Sequence, residues 1–360
     1  MRPPRRLPLL VAALAIIAAC SGGSEAEPTA TSPASDPATT AVPSTAAATD
    51  PTEPATTVAD TTTTVAPDPV YPLTGLPIPE GNPLAVLRPA IVAKVGNYDS
   101  HPQYGMNQAD IVYEEIINDS VSRFAMVFQS QGVDLVGPMR SGRLQDVDLL
   151  GSLNAPILAW SGGNGTVTNE INNSDLVNMS PNYCGSACFR VSFDKAPYNL
   201  FFNINAAWEQ SPPGYGSPPQ QFQYRAATDP VQGTPSAGVD VKMDSYRVGW
   251  TWNATTGLYE RQQNGRADNG PNGDLATTNN VVVLHMVYNA GISGSPDAQS
   301  VGTGEAWVFT GGNLVHGTWT RADRLDTFTL TADDGSPILL TPGRTFIELP
   351  RSIFGNVAPR

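Results

Sequence analysis

The stretch from Ser21 to Asp68 sets the first limit on what this chain can fold into. It is built largely of Thr, Pro, Ala and Ser, carries seven acids and no base, and has almost no large apolar residue. Such a segment cannot bury enough surface to offset the entropy of ordering it, so residues 21–69 are expected to form a disordered tether. As a flexible coil of about fifty residues it would hold the rest of the chain on the order of 40 Å from its point of attachment. Its Ser and Thr side chains are candidates for glycosylation. Any core must come from residues 70–360, enough for one large domain or two ordinary ones.

Before the tether stand Arg2, Arg5 and Arg6, an apolar run from Leu7 to Ala19, and Cys20. A basic head, a short hydrophobic segment and small residues make a secretory signal over residues 1–20. The run is too short to span a bilayer, which needs about 20 residues. Ile17-Ala18-Ala19-Cys20 resembles the lipobox of bacterial lipoproteins, whose cysteine is lipid-modified and becomes the first residue of the mature protein. Cys20 is therefore the expected lipidation site. The expected location is extracytoplasmic, anchored to the outer face of the cell membrane. An ordinary cleaved signal with a chance cysteine is the simpler alternative.

The chain has a formal net charge of −13, and excluding signal and tether leaves 26 acids against 17 bases. That balance argues against nucleic acid as a partner, which calls for a basic face. It argues equally against docking on anionic lipid through the protein surface. Besides Cys20, the cysteines are Cys184 and Cys188 in a Gly/Ser-rich loop. Outside the cytoplasm this pair reads most simply as a local disulfide, with free thiols or a metal site as alternatives. The three histidines, His101, His285 and His316, have no nearby histidine or cysteine, so no metal is expected. No phosphate loop or dinucleotide fingerprint appears, and no cofactor is expected.

Apolar runs predict strands at Ala90–Val95, Asp110–Ile117, Arg123–Phe128 and Ala155–Trp160. Helical spacing covers Leu144–Leu153, a second helix begins near Gly165 or Thr166, and a third is expected over Ala196–Gln210, with Pro197 in its first turn. After the turn-rich Ser211–Pro219, hairpins dominate. Tyr246–Trp252 returns through Asn253–Gly257, another hairpin turns at Gly311-Gly312, and a third at Asp334-Gly335. The expected class is α+β: a mixed α/β domain over 70–225, then a mostly antiparallel, β-rich domain over 226–360, forming a compact sheet or barrel.

The segments "RPAIVAKVGN", "QADIVYEE", "SRFAMVFQS", "VGPMRSGR" and "WSGGN", in that order, resemble the N-terminal half of the DUF3048 family. "WTWNATTGLYER", "NNVVVL", "GTGEAWVFTGGNLVHGTWTR" and "DGSPILLTPGRTFIELP" resemble its C-terminal domain. The resemblance covers essentially all of residues 70–350. It implies a bacterial envelope lipoprotein of two regions, without an established activity. Two departures from the family pattern stand out: Gly96 replaces an acid before Asn97, and Ile117-Asn118-Asp119-Ser120 replaces an acidic, Gly-rich turn. Both favour a binding role over catalysis.

Arg140 and Arg143 flank Ser141 behind a Gly-Pro turn. Guanidinium groups match carboxylate or phosphate, and a helix opening near Leu144 would add its positive end. The same arginines could instead pair internally with Asp110, Glu114, Glu115, Asp146 or Asp148, and Arg123 has the same two readings. Trp160-Ser161-Gly162-Gly163 follows a strand, where an indole face and close backbone approach suit a ligand. Trp160 as core and the glycines as a simple turn are the bland alternative. Asn97 closes the first strand at the same edge.

Catalytic constellations are lacking. "WSGGN" is not a nucleophile elbow, and Glu114 and Glu115 are adjacent on a strand, so they face opposite ways and do not pair with each other. Three functions remain open. The first is a non-enzymatic, lipid-anchored binding protein recognising peptidoglycan, another anionic wall polymer or an acidic segment of an envelope protein. The second is a cell-wall-modifying enzyme working around Arg140, Ser141, Arg143 and Ser161. The third is an assembly factor docking through Tyr246, Trp250, Trp252 and Trp319 of the β region.

Overall fold

Three apolar runs form strands that are buried along their whole length: β1 (Ile91–Gly96), β2 (Ile111–Ile116) and β3 (Ser122–Phe128). Each lies within a residue or so of its expected bounds. The computed structural model describes residues 69–81, 87–97, 102–118, 121–211, 216–353 and 355–360. The signal peptide, Cys20, the tether up to Asp68 and His101 lie outside the described residues.

The remaining elements of the first half are α1 (Gln145–Leu149), β4 (Ile157–Ala159), α2 (Gly165–Asn173), β5 (Val177–Met179), β6 (Cys188–Arg190), β7 (Leu200–Phe202) and α3 (Ile204–Gln210). The expected first helix is cut short, and a 3-10 turn at Gly151–Leu153 succeeds it. The third helix is also a correction. Leu200–Phe202 pairs with β6, and Phe202 with Val136 as well, so this apolar run is a strand. The helix waits for Asn203, whose side chain accepts from the Ala206 amide at 2.9 Å and caps it. Cys184 and Cys188 are disulfide-bonded, with Cα atoms 5.7 Å apart.

The second half is strands almost throughout. In order they are β8 (Thr234–Pro235), β9 (Gly238–Met243), β10 (Tyr246–Asn253), β11 (Leu258–Gln263), β12 (Arg266–Ala267), β13 (Thr277–Thr278) and β14 (Asn280–Leu284). After them come β15 (Tyr288–Ala290), β16 (Pro296–Ala298), β17 (Gly302–Thr310), β18 (Asn313–Arg321), β19 (Thr329–Ala332), β20 (Thr345–Leu349) and β21 (Val357–Pro359). The fold is α+β, a mixed region followed by a mostly antiparallel one. The third hairpin is only half formed: beyond Gly335, Pro337 makes a lone bridge to Thr331, and its missing N–H limits further pairing.

The second half does not close on itself as a separate sheet or barrel. Strands β14, β17, β18, β19 and β20 enter the sheet begun by β1–β5, giving eleven strands with β8 on β18. The join is β20, which lies parallel to β2 on one side and to β14 on the other. Strands β9–β13 and β21 make a second, six-stranded sheet. One face of the large sheet, with Val112, Phe124 and Phe346, packs on Val241, Val248 and Trp250 of the second sheet. The opposite face packs Tyr113 and Leu158 against Leu149 of α1 and Ile171 of α2. Trp250 and Trp319 are therefore buried, Tyr246 nearly so, and Trp252 half-buried. The aromatic docking patch expected of the β region is not on the surface.

Between the sheets lies a buried charged knot, reached by solvent at Asp268. Register sets Glu114 of β2 beside Glu348 of β20. Arg261 of β11 donates to Glu114 at 2.6 Å and also pairs with Asp268. Asn97 donates to Glu114 at 3.0 Å, Ser122 to Glu114 at 2.5 Å, and the Trp250 indole to Glu348 at 2.9 Å. Glu114 and Glu115 do face opposite sides, as alternation requires; the partner of Glu114 is the more distant Glu348. Burial, and then the charge of Glu114, hold the Glu348 carboxyl well above the usual carboxylate range against the pull of Arg261.

The fold therefore favours the protonated form of Glu348 at pH values where the unfolded chain, releasing the proton near 4.5, has lost it. This contribution to stability is full below that pH and is lost as pH rises, by up to about 1.4 kcal/mol per unit. Glu348→Gln keeps an acceptor for Trp250 and a donor for Glu114. Thermal unfolding across pH should show a flatter profile for the variant, with higher stability than the parent on the alkaline side.

Candidate functional site

Strands β1, β2, β4 and β20 all run the same way: β1 and β2 are each antiparallel to β3, β4 is parallel to β1, and β20 is parallel to β2. Their carboxyl ends share one edge of the sheet, where loops of open α/β sheets gather ligands. There lies a cleft of about 290 Å³, small but close to the usual range for small-molecule sites. Three loops wall it: Ser141–Leu144, Ser161–Asn164 after β4, and Gly291–Asp297 from the second half, with Asn118 after β2.

The first two walls are tied by backbone bonds, Ser161 N–H to Arg140 carbonyl at 3.0 Å and Gly142 N–H to Gly162 carbonyl at 3.2 Å. Gly142 has no room for a side chain, since a Cβ would stand 2.8 Å from the Trp160 ring. Gly162 has φ +100°, a conformation that favours glycine. Asn164 caps α2 by accepting from Val167 N–H at 2.9 Å. Asn118 bridges to the third wall, accepting from Arg143 Nε at 3.2 Å and donating to the Ser293 carbonyl at 3.0 Å.

Of the candidates read from the sequence, Ser141, Arg143, Ser161, Gly162 and Gly163 line this cleft. Trp160 does not line it: the side chain is core, 2% exposed, packed behind Gly142 and Gly163, with its indole donating to Asn178 at 2.7 Å. Arg123 is buried and supports the first wall, donating to the Ser141 carbonyl at 2.6 Å. Arg140 lies elsewhere. Its guanidinium stands 5.0 Å over the Tyr198 ring and donates to the Pro197 carbonyl at 3.4 Å. Asn97 is held in the charged knot beneath the cleft. Helix α1 spans five residues, too few for the macrodipole expected at Leu144.

Sequence reasoning missed the third wall and its acid, Asp297. Burial, opposed by the hydrogen bond from Gln299, pushes the Asp297 carboxyl up, and Asp148 adds to this. A signal was present in "AGISGSPD", a Gly/Ser-rich break between strands. Among the described residues no cluster of three or more His, Cys, Asp or Glu side chains has metal-binding geometry. The cleft offers hydroxyls, backbone amides, side-chain amides, one guanidinium and one carboxyl, a set suited to holding a small hydrophilic ligand.

Two segments joined through one sheet, with a polar cleft between them, define a two-part fold that comparison assigns to a family. Residues 73–213 match "Protein of unknown function (DUF3048) N-terminal domain" and residues 239–347 its C-terminal domain; the chain belongs to the DUF3048 family. It is 27% identical over 292 residues to the "Putative lipoprotein YerB" of Bacillus subtilis (strain 168), covering 77% of this chain and 85% of that one. The crystal structure of YerB from the same organism superimposes with a TM-score of 0.70 at 22% identity, over 81% of this chain and all of that one.

Asn118→Ala removes the bridge between Arg143 and Ser293. One such hydrogen bond contributes about 1 kcal/mol, so amide exchange in residues 291–297 should rise roughly fivefold. Exchange in β1–β3 should stay as in the parent, and equal rates in the 291–297 loop would show that the bridge does not order it.

Proposed function

We propose that this protein is a lipid-anchored binding protein of the bacterial cell envelope, held to the outer face of the membrane through Cys20. In this reading it captures a small hydrophilic ligand bearing a carboxylate or phosphate in the cleft beside Arg143. The observation that carries the reading is the convergence of Ser141, Arg143 and Ser161–Gly163 on one cleft at the carboxyl ends of the strands. A guanidinium wall with neighbouring hydroxyls and amides matches an anionic, polyhydroxylated group such as a peptidoglycan fragment. A second cleft, about 310 Å³ between Gln103–Gln108 and Asp268–Ala276, is lined by Asp268 and Asp274 and no base, and so suits an anion poorly; in a third, of about 570 Å³, the guanidinium of Arg321 is engaged by the Asp326 and Arg324 carbonyls.

The cleft supports binding better than turnover. Its serines, Ser141, Ser161, Ser293 and Ser295, share it with one carboxyl, Asp297, which accepts from Gln299 at 3.1 Å rather than from a serine hydroxyl, so the cleft holds no nucleophile already paired with a base. Location rests on the lipobox at Ile17–Cys20 and on the relative named a lipoprotein.

Two measurements test these parts separately. Isothermal titration of soluble peptidoglycan fragments should show Arg143→Ala binding about tenfold or more weaker, as expected for a charged hydrogen bond. Arg140→Ala, outside the cleft, should bind like the parent; equal binding by all three proteins would place the ligand elsewhere. In cell fractionation, Cys20→Ser should move the protein from the membrane to the soluble extracytoplasmic fraction, and retention in the membrane would refute the lipid anchor.

A further inference from the structure

Glu115 leaves β2 on the face opposite Glu114 and meets the Nζ of Lys94 on β1. The same Nζ stands 2.8 Å from Oδ1 of Asp146 in the first turn of α1. All three side chains have 0% exposure. One ammonium thus faces two carboxyl groups without water, a poor balance for a purely ionic cluster. Burial and the neighbouring Asp146 raise the Glu115 carboxyl above its ordinary range, with Lys94 opposing. Oε2 of Glu115 has no hydrogen-bond partner. Oδ2 of Asp146 accepts the Arg143 N–H at 2.7 Å.

We propose that Lys94 and Asp146 are a self-crosslinking pair, in which Nζ condenses with Cγ of Asp146 to an isopeptide bond between β1 and α1, with Glu115 relaying protons. Each group has a defined part. Proton transfer within the triad turns the ammonium and the Asp146 carboxylate into amine and carboxylic acid. The amine adds to Cγ, and the negative charge that develops on Oδ2 meets the Arg143 N–H already aimed at it. Glu115 accepts a proton from the attacking nitrogen and delivers one to Oδ1. The Cγ–Oδ1 bond breaks, water leaves, and Glu115 returns to its starting state. One C–N bond replaces one C–O bond, one water is released, and no oxidant, metal or cofactor enters.

Both the barrier and the equilibrium favour the step at this position. The fold holds amine and carboxyl in hydrogen-bond contact, which removes the entropy cost of bringing them together. In water the separated ions are well hydrated and condensation gains little. Here the ions are already stripped of water, so exchanging two buried charges for a neutral amide relieves their desolvation. After condensation Oδ2 remains a carbonyl oxygen that accepts the Arg143 amide, so the wall of the cleft keeps its geometry.

Mass spectrometry of the purified full chain under denaturing conditions tests this. Protease digestion should yield a branched peptide joining Lys94 to Asp146, lighter by one water than the two linear peptides together. Lys94→Arg and Asp146→Ala should lack it, and Glu115→Gln, which keeps size but cannot relay, should retain linear peptides of full mass. The wild-type digest decides without reliance on any variant folding. Linear Lys94 and Asp146 peptides at full mass, a branch to Glu115, or loss of water within the Asp146 peptide alone would each overturn the proposal.

Discussion

The parallel pairing of β20 with β2 is the contact on which the rest of the molecule depends. It inserts a strand from near the end of the chain into the middle of a sheet begun more than two hundred residues earlier. It also sets Glu348 beside Glu114, and that juxtaposition requires the rest of the knot. Two adjacent buried carboxyls are tolerable only if one is neutral or a cation sits close by. Both apply here: burial favours the neutral form of Glu348, and the guanidinium of Arg261 lies against Glu114. Because Arg261 belongs to the second sheet, the charge that neutralises the first sheet also fixes where the second one sits.

The same strand order produces the cleft. Parallel β1, β2, β4 and β20 leave their outgoing loops on one side, and the β15–β16 loop supplies the opposite wall. Polar side chains buried under that edge support it without facing a ligand: Arg123 holds the Ser141 carbonyl, Asp146 the Arg143 amide, and Asn97 the knot. The shape of the cleft therefore derives in part from core chemistry.

Strands with an unbroken apolar run or a clear alternation were legible in the sequence, because burial on one or both faces writes itself into residue order. Hairpins at Asn253–Gly257 and Gly311-Gly312 were legible through their turns. The β2–β20 join was not, since partners so far apart leave no local mark. The third helix was misread because Pro197 suits a first turn, whereas Leu-Phe-Phe at 200–202 is used as a strand. The site was half legible. Residues three apart lie on one side of a helix but point apart in extended chain, and helix α1 begins only after Arg143. Arg140 therefore turns to Tyr198 while Arg143 lines the cleft. The third wall comes from beyond residue 290 and carries no motif that ties it to the other two.

The shared sheet also bears on the order in which the protein is made. Synthesis runs from the N-terminus, so β1, β2 and β3 exist long before residues 345–349 do. Until those last residues emerge, β2 presents an open edge with a carboxylate on it, and the sheet has no finished intermediate to rest in. A chain that stops before residue 345 lacks the strand that joins β2 to β14. Residues 345–349 act as a late keystone, since the two halves of the large sheet meet through them.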